Sequence, residues 1–205
     1  MAEKIGDDYY ISSINNELAY IAINKHNFEL AKKYSQKSLE YAEKIGIEYG
    51  VAFNYYTFGN IAQEEGDFET AEKWYIQSLE YFEKVKSERS MPMIYSKLGM
   101  IAQSRKEFEK AEELYQKSLK STEIWGNEHL SATIYNNLGI LARLQQRLES
   151  SGEWLIKSIK AFENTNDPEN AGKAKNEFWA THAQASPDVQ AKLKEMWEAA
   201  GLSEP

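Results

Sequence analysis

A period of forty residues limits what this chain can fold into more than any other feature. The phrase Gly59-Asn60-Ile61-Ala62-Gln63 returns as Gly99-Met100-Ile101-Ala102-Gln103 and, more loosely, as Gly139-Ile140-Leu141-Ala142-Arg143, with Ala19-Tyr20-Ile21-Ala22-Ile23 preceding them. Twelve residues after each leading small residue stands Ala31, Ala71, Ala111 or Ser151, and seven further on stand Ser38, Ser78, Ser118 and Ser158. Each serine is followed by Leu39, Leu79, Leu119 or Ile159. Aligned without a gap, residues 51–90 and 91–130 share fourteen identities in forty. Average residue usage would give roughly two or three, so one structural unit is repeated.

Within a unit the apolar residues follow helical spacing: Tyr55, Phe58 and Ala62, then after a break Phe68, Ala71, Tyr75, Leu79 and Phe82. The break, Glu64 to Asp67, holds Gly66, which suits the left-handed end of a helix, and Asp67, which suits the start of the next. Two helices per unit follow. Gly59 and Ala71 are expected to let the two backbones approach, with Tyr75 and Leu79 filling the groove to the neighbouring pair. One pair cannot cover its own apolar surface, whereas a stack of pairs can. After residue 165 the pattern fades. Asn166-Asp167-Pro168 is a turn, a fifth first-helix is predicted from about Asn170 to Ala185, and Trp179 stands where the glycine stood. Ser186-Pro187-Asp188 then starts a last helix bearing Leu193, Met196 and Trp197, with Gly201 as its stop. This helix is expected to cover the end of the stack.

Composition narrows the function classes. A net charge of −8 and a pI near 5.1 disfavour nucleic acid and anionic membrane surfaces, which are bound through Lys and Arg. The absence of cysteine excludes disulfides and thiolate metal sites and is compatible with a reducing, cytoplasmic setting. No run of eighteen apolar residues suggests a spanning helix, and Met1 to Asp8 has no secretory pattern. His26, His129 and His182 stand far apart, without metal-ligand spacing. The carboxylates of Glu107 to Glu113 interleave with lysine as on a solvated helix face. Neither a glycine-rich phosphate loop nor a nucleophile constellation is present. No catalytic, metal or cofactor site is therefore expected, and the chain reads as a binding protein and not an enzyme. Tyr9, Tyr10 and Ile11 could pack internally or join a second copy, so oligomeric state stays open.

With these residues in place the chain resembles the tetratricopeptide repeat family. The second unit carries its pattern as Tyr55, Phe58-Gly59, Ala62, Gly66-Asp67-Phe68, Ala71, Tyr75 and Ser78-Leu79. The third keeps Tyr95, Leu98-Gly99, Ala102, Phe108, Ala111, Tyr115 and Ser118-Leu119 but has Lys106 for the turn glycine. The fourth keeps Tyr135, Leu138-Gly139 and Ala142 with Ser151 for the packing alanine, and the first has Ala19 for the glycine and Asn15 for the early aromatic. The unit exceeds the usual 34 residues by six, about 9 Å of helix. Longer units of this kind look like those of kinesin light chain, spindle-orientation scaffolds and bacterial regulators. HEAT or armadillo repeats share the period, but the Gly, Ala and Ser positions match less well.

The resemblance implies an all-α, right-handed α-solenoid of antiparallel helix pairs with a C-terminal capping helix. It would be a single domain over 1–205, with units at about 12–51, 52–91, 92–131 and 132–171 and a degenerate fifth pair and cap at 172–201. It also implies that first helices line a concave groove for a protein or peptide partner. Carried onto this chain, the contact places select Asn16, Tyr20, Phe53, Tyr56, Asn60, Met93, Lys97, Met100, Asn136, Asn137, Ile140 and Arg143. Amide side chains there can pair with peptide N–H and C=O groups, and Tyr, Phe and Met offer apolar contacts; Met100, Ile140 and part of Tyr20 could equally pack between first helices. A clamp for a terminal carboxylate is disfavoured, because Asn137 and Lys173 fit it while Ser96, Met100 and Glu177 do not. The expected role is a scaffold or adaptor. The alternative is a regulatory or sensor arm of a larger signalling protein, such as a nucleotide-dependent switch.

Overall fold

In a computed structural model, residues 2–202 are described, with side chains from residue 6. Ten helices occur among them: α1 (Ala2–Asn24), α2 (Phe28–Lys44), α3 (Glu48–Glu64), α4 (Phe68–Lys84), α5 (Met91–Ser104), α6 (Phe108–Trp125), α7 (Glu128–Leu144), α8 (Leu148–Asn164), α9 (Pro168–Gln184) and α10 (Pro187–Ala199). No strand is found among the described residues.

The turns repeat at half the sequence period. His26, Gly46, Gly66, Lys86, Lys106, Gly126, Gln146 and Asn166 all have positive φ, between 54° and 81°. After each, the next N–H reaches back to the carbonyl five residues earlier, as in Asn27 N to Ala22 O (2.9 Å), Asp67 N to Ala62 O (2.9 Å) and Arg147 N to Ala142 O (2.8 Å). This bond satisfies a carbonyl that the helix end would otherwise leave unpaired. At Asn27, Asp67, Asn127 and Asp167 the same residue then caps the following helix, its side chain accepting from the N–H three residues on. Helices joined so tightly run antiparallel.

The chain divides into two compact units, residues 1–98 and 99–205, with α5 crossing the division. In the first, α1 pairs with α2 and α3 with α4, and α3 also lies against α1 and α2. Ala22, Ile23, Ala31 and Ile61 form one part of its core, and Leu39, Ala42 and Val51 another. The repeated serines tie second helix to first: Ser38 Oγ donates to Ser12 O (2.8 Å) and Ser78 Oγ to Ala52 O (2.7 Å). Gly59 does something other than bring backbones together. A Cβ there would fall 2.5 Å from Cδ1 and Cε1 of Tyr75, so the missing side chain makes room for that ring within its own pair.

The second unit repeats the device. Gly99 accommodates Tyr115 and Gly139 accommodates Leu155, while Ser158 Oγ donates to Ala132 O at 2.8 Å. Ser151, in place of the packing alanine, is buried, and its hydroxyl lies 3.0 Å from Thr181 Oγ1. The fifth first-helix is α9, and α10 packs on α8 and α9 as expected of a cap. The Trp197 ring lies tilted against Phe178 and Trp179, with centroids 4.7 Å and 5.1 Å away, and Leu193 beside it is fully buried against Gly152.

Candidate functional site

The first-helix residues fall on two faces, one in each unit. In the first unit, Asn16 is half-buried, and its amide donates to Asn54 Oδ1 at 3.2 Å and to Thr57 Oγ1 at 3.5 Å. Tyr20 is 60% exposed. Phe53 and Tyr56 lie ring to ring at 5.9 Å, and Tyr56 is the same distance from Tyr75. Burial pushes the Tyr56 hydroxyl above its ordinary range; the Asn60 amide beside it opposes the shift, and Tyr20 adds to it. Met93 and Lys97 are half-buried on α5. Burial holds the Lys97 ammonium below the usual lysine value, with Glu64 opposing.

Asn60 is less available than its place on the face suggests. The Tyr75 hydroxyl lies 2.9 Å from both Asn60 Oδ1 and Gln63 Oε1. A phenol carries one proton, so one of the two amides must turn its NH₂ towards the oxygen. One repeat later Met100 replaces Asn60, and the Tyr115 hydroxyl donates to Gln103 Oε1 at 3.1 Å.

In the second unit Met100 is exposed, whereas Asn136, Asn137, Ile140 and Arg143 are half-buried along α7. The Arg143 guanidinium pairs with Glu177 of α9, so its charge is already used within the fold. Asn136 Oδ1, Asn137 Nδ2 and Arg143 Nε are buried from solvent and find no hydrogen-bond partner among the described residues.

A feature missed from the sequence lies between α1, α2 and α3. A cavity of about 310 Å³ is lined by the apolar residues Ala42, Ile45 and Ile47 and the aromatics Tyr9, Tyr49 and Phe53. Ser12, Ser13, Ser38, Asn16, Asn54 and Glu17 complete it, with Gly50 at its side. Gly50, where later units have Ser90, Leu130 and Asn170, marks a close approach beside it, since a Cβ there would fall 3.2 Å from Ala42 Cβ. Tyr9 and Tyr10, whose partners the sequence left open, are 50% and 66% exposed, and Ile11 is half-buried.

Of the three histidines, His26 and His129 are exposed and His182 is half-buried. His26 occupies a left-handed turn, His129 Nδ1 lies 3.7 Å from Asp167 Oδ2, and His182 sits at the edge of Trp179. No cluster of three His, Asp or Glu residues suited to a metal occurs among the described residues. Lys110 pairs with Glu107 at 3.3 Å and Lys117 with Glu113 at 3.0 Å. None of the described helices is long and apolar enough to cross a membrane.

Helix pairs at a forty-residue interval, with small residues receiving a second-helix side chain, define an all-α repeat protein of the protein-interaction class. The chain belongs to the tetratricopeptide repeat family, whose sequence pattern matches residues 10–84 and 90–164. Comparison with curated protein sequences finds no significant match. Among solved structures, it resembles a signal-transduction ATPase with numerous domains and a tetratricopeptide repeat sensor from Pyrococcus horikoshii, at 22% identity and a TM-score of 0.73. That match covers 95% of this chain and 31% of the other. It also resembles nearly identical TPR-like repeats assigned to a kinesin light chain of Podosopora anserina (14% identity, TM-score 0.65, 93% of this chain and 96% of that one). A third is a Rap protein complexed with competence and sporulation factor (18% identity, TM-score 0.57, 90% and 53%). At these identities the likeness is one of fold.

Proposed function

We propose that this chain is a protein-binding scaffold or adaptor whose first-helix faces hold a peptide or a helical segment, without catalysis. The observation that carries this is exposed apolar surface on the first helices, Tyr20 at 60% and Met100 at 37%, which offers contact of the adaptable kind. Asn136 and Asn137 on α7 are half-buried amides of the type that pairs with peptide N–H and C=O groups. The Rap protein's complex with competence and sporulation factor gives the reading a structural parallel. A cytoplasmic setting and the action of all the repeats as one domain belong to the same proposal.

The second reading, a regulatory or sensor arm of a larger signalling protein, is favoured by the fold shared with the sensor-bearing ATPase, of which this chain covers 31%. The deciding experiment selects peptides by display against the intact protein and measures their affinity by fluorescence polarisation. Asn137→Ala and Met100→Ala are each expected to weaken the selected peptides about fivefold or more. Peptides held equally well by the parent and both variants would remove the first-helix faces as the site.

A further inference from the structure

Four of the polar residues around the cavity in the first unit, Ser12, Ser38, Asn16 and Asn54, are tied into hydrogen bonds of the fold. Ser38 Oγ donates to Ser12 O at 2.8 Å, and Ser12 Oγ lies 2.9 Å from Ser38 O. Asn54 donates to Gly50 O at 2.9 Å and accepts from Asn16. An occupant therefore meets apolar and aromatic surface with few hydrogen-bonding needs. The exceptions include Ser13 and Glu17, both exposed; Glu17 is the sole charged residue in the lining and has no ion pair or hydrogen bond among the described residues.

We propose that this cavity anchors an arginine side chain of the bound peptide, an assignment that rests on reading the first-helix faces as a peptide site. A volume near 310 Å³ is at the lower end for a ligand pocket and suits one large side chain. A neutral apolar occupant would desolvate Glu17 without compensating its charge, whereas a guanidinium pairs with the carboxylate in a two-pronged hydrogen bond. The planar cation is also attracted to the faces of Tyr9, Tyr49 and Phe53, and its aliphatic stem suits Ile45 and Ile47. Internal repetition supplies the contrast. One unit on, Thr57 replaces Glu17 and Arg89 replaces Tyr49, so the acidic group is lost and a cation takes an aromatic place.

The test is an NMR titration of the full chain with N-acetyl-arginine methylamide, its neutral citrulline counterpart and the leucine counterpart. The arginine probe is expected to shift resonances of Tyr9, Tyr49 and Phe53 saturably, with about fivefold to tenfold preference over citrulline. Glu17→Gln should erase that preference. Gly50→Leu, which places in the cavity wall the residue found at position 130, should abolish binding of all three probes while circular dichroism stays helical. Equal response to citrulline or leucine, no response to arginine, or an unchanged preference in Glu17→Gln overturns the anchor. Display-selected peptides separate this failure from that of the groove. Peptides weakened by Asn137→Ala yet indifferent to arginine-to-citrulline exchange overturn the anchor alone, whereas arginine binding in the cavity without any peptide sensitive to Asn137→Ala overturns the groove.

Discussion

At the scale of single residues, the left-handed turn explains why glycine is optional in this repeat. Lys106 holds φ 63° where Gly66 holds 81°, because the carbonyl-capping bonds around the turn set the backbone and the side chain tolerates it. An L-residue pays about 1–2 kcal/mol in that region, against which glycine's extra chain entropy returns about 0.5–1 kcal/mol. Lys106→Gly is therefore expected to stabilise the protein by roughly 0.5–1 kcal/mol in denaturant titration, and a loss would show that the lysine contributes something the turn does not require. Lys97 provides a second prediction. Its folded pKa lies below its unfolded value near 10.5, so between the two the unfolded chain binds more protons and stability rises with pH. Its destabilising effect is full below the folded pKa and fades towards the unfolded one. Lys97→Met should thus be more stable than the parent at neutral pH, with the advantage shrinking as pH approaches 10.5; comparison of the two proteins cancels the buried tyrosines. A gap that stays constant across this range would contradict the assignment.

At the scale of the element, equivalent positions on first helices have unequal neighbours. Ile21 is 49% exposed on α1, whereas its equivalent Ile61 on α3 is 1% exposed against Ala22, Ile23 and Ala31. Ile14 is likewise 53% exposed, while Ile134, three repeats later, is fully buried in the core with Tyr115 and Leu119. Ile61→Ala should cost about 2–5 kcal/mol because it opens a cavity, and Ile21→Ala about 0.5 kcal/mol or less. Similar losses from both would mean that something covers α1 in solution. The helices themselves were legible because the apolar period and the turn residues recur. The fifth first-helix, read as Asn170 to Ala185, runs Pro168–Gln184, and the last begins at Pro187 as read. The face was legible as a set of positions, but its chemistry was not. Whether Asn60 is taken by Tyr75, Arg143 by Glu177 or Asn16 by Asn54 depends on side chains 15 to 38 residues away meeting in space.

At the scale of the molecule, cohesion is built from neighbours. In the second unit α10 lies on α8 and α9, and the tryptophans and Phe178 close that end of the core. Stability of such a repeat is a sum of units and nearest-neighbour contacts, so damage should spread only through the adjoining helices. Trp197→Ala is expected to speed hydrogen exchange in α8 and α9 and leave the amides of α1 to α4 near parent rates. Uniform loss of protection throughout the chain would indicate one cooperative block instead.

Period, turn chemistry and helical spacing are properties of neighbours along the chain, and so the helix pairs, the cap and the family could be read before any coordinates. Which side chain fills the space beside Gly59, which first-helix amides the fold uses, and that a cavity lies beside Glu17 were settled only by packing. The physical reason is that burial and hydrogen-bond pairing depend on what the neighbouring helix presents at that height. A repeated sequence leaves that variable free wherever one unit departs from the next.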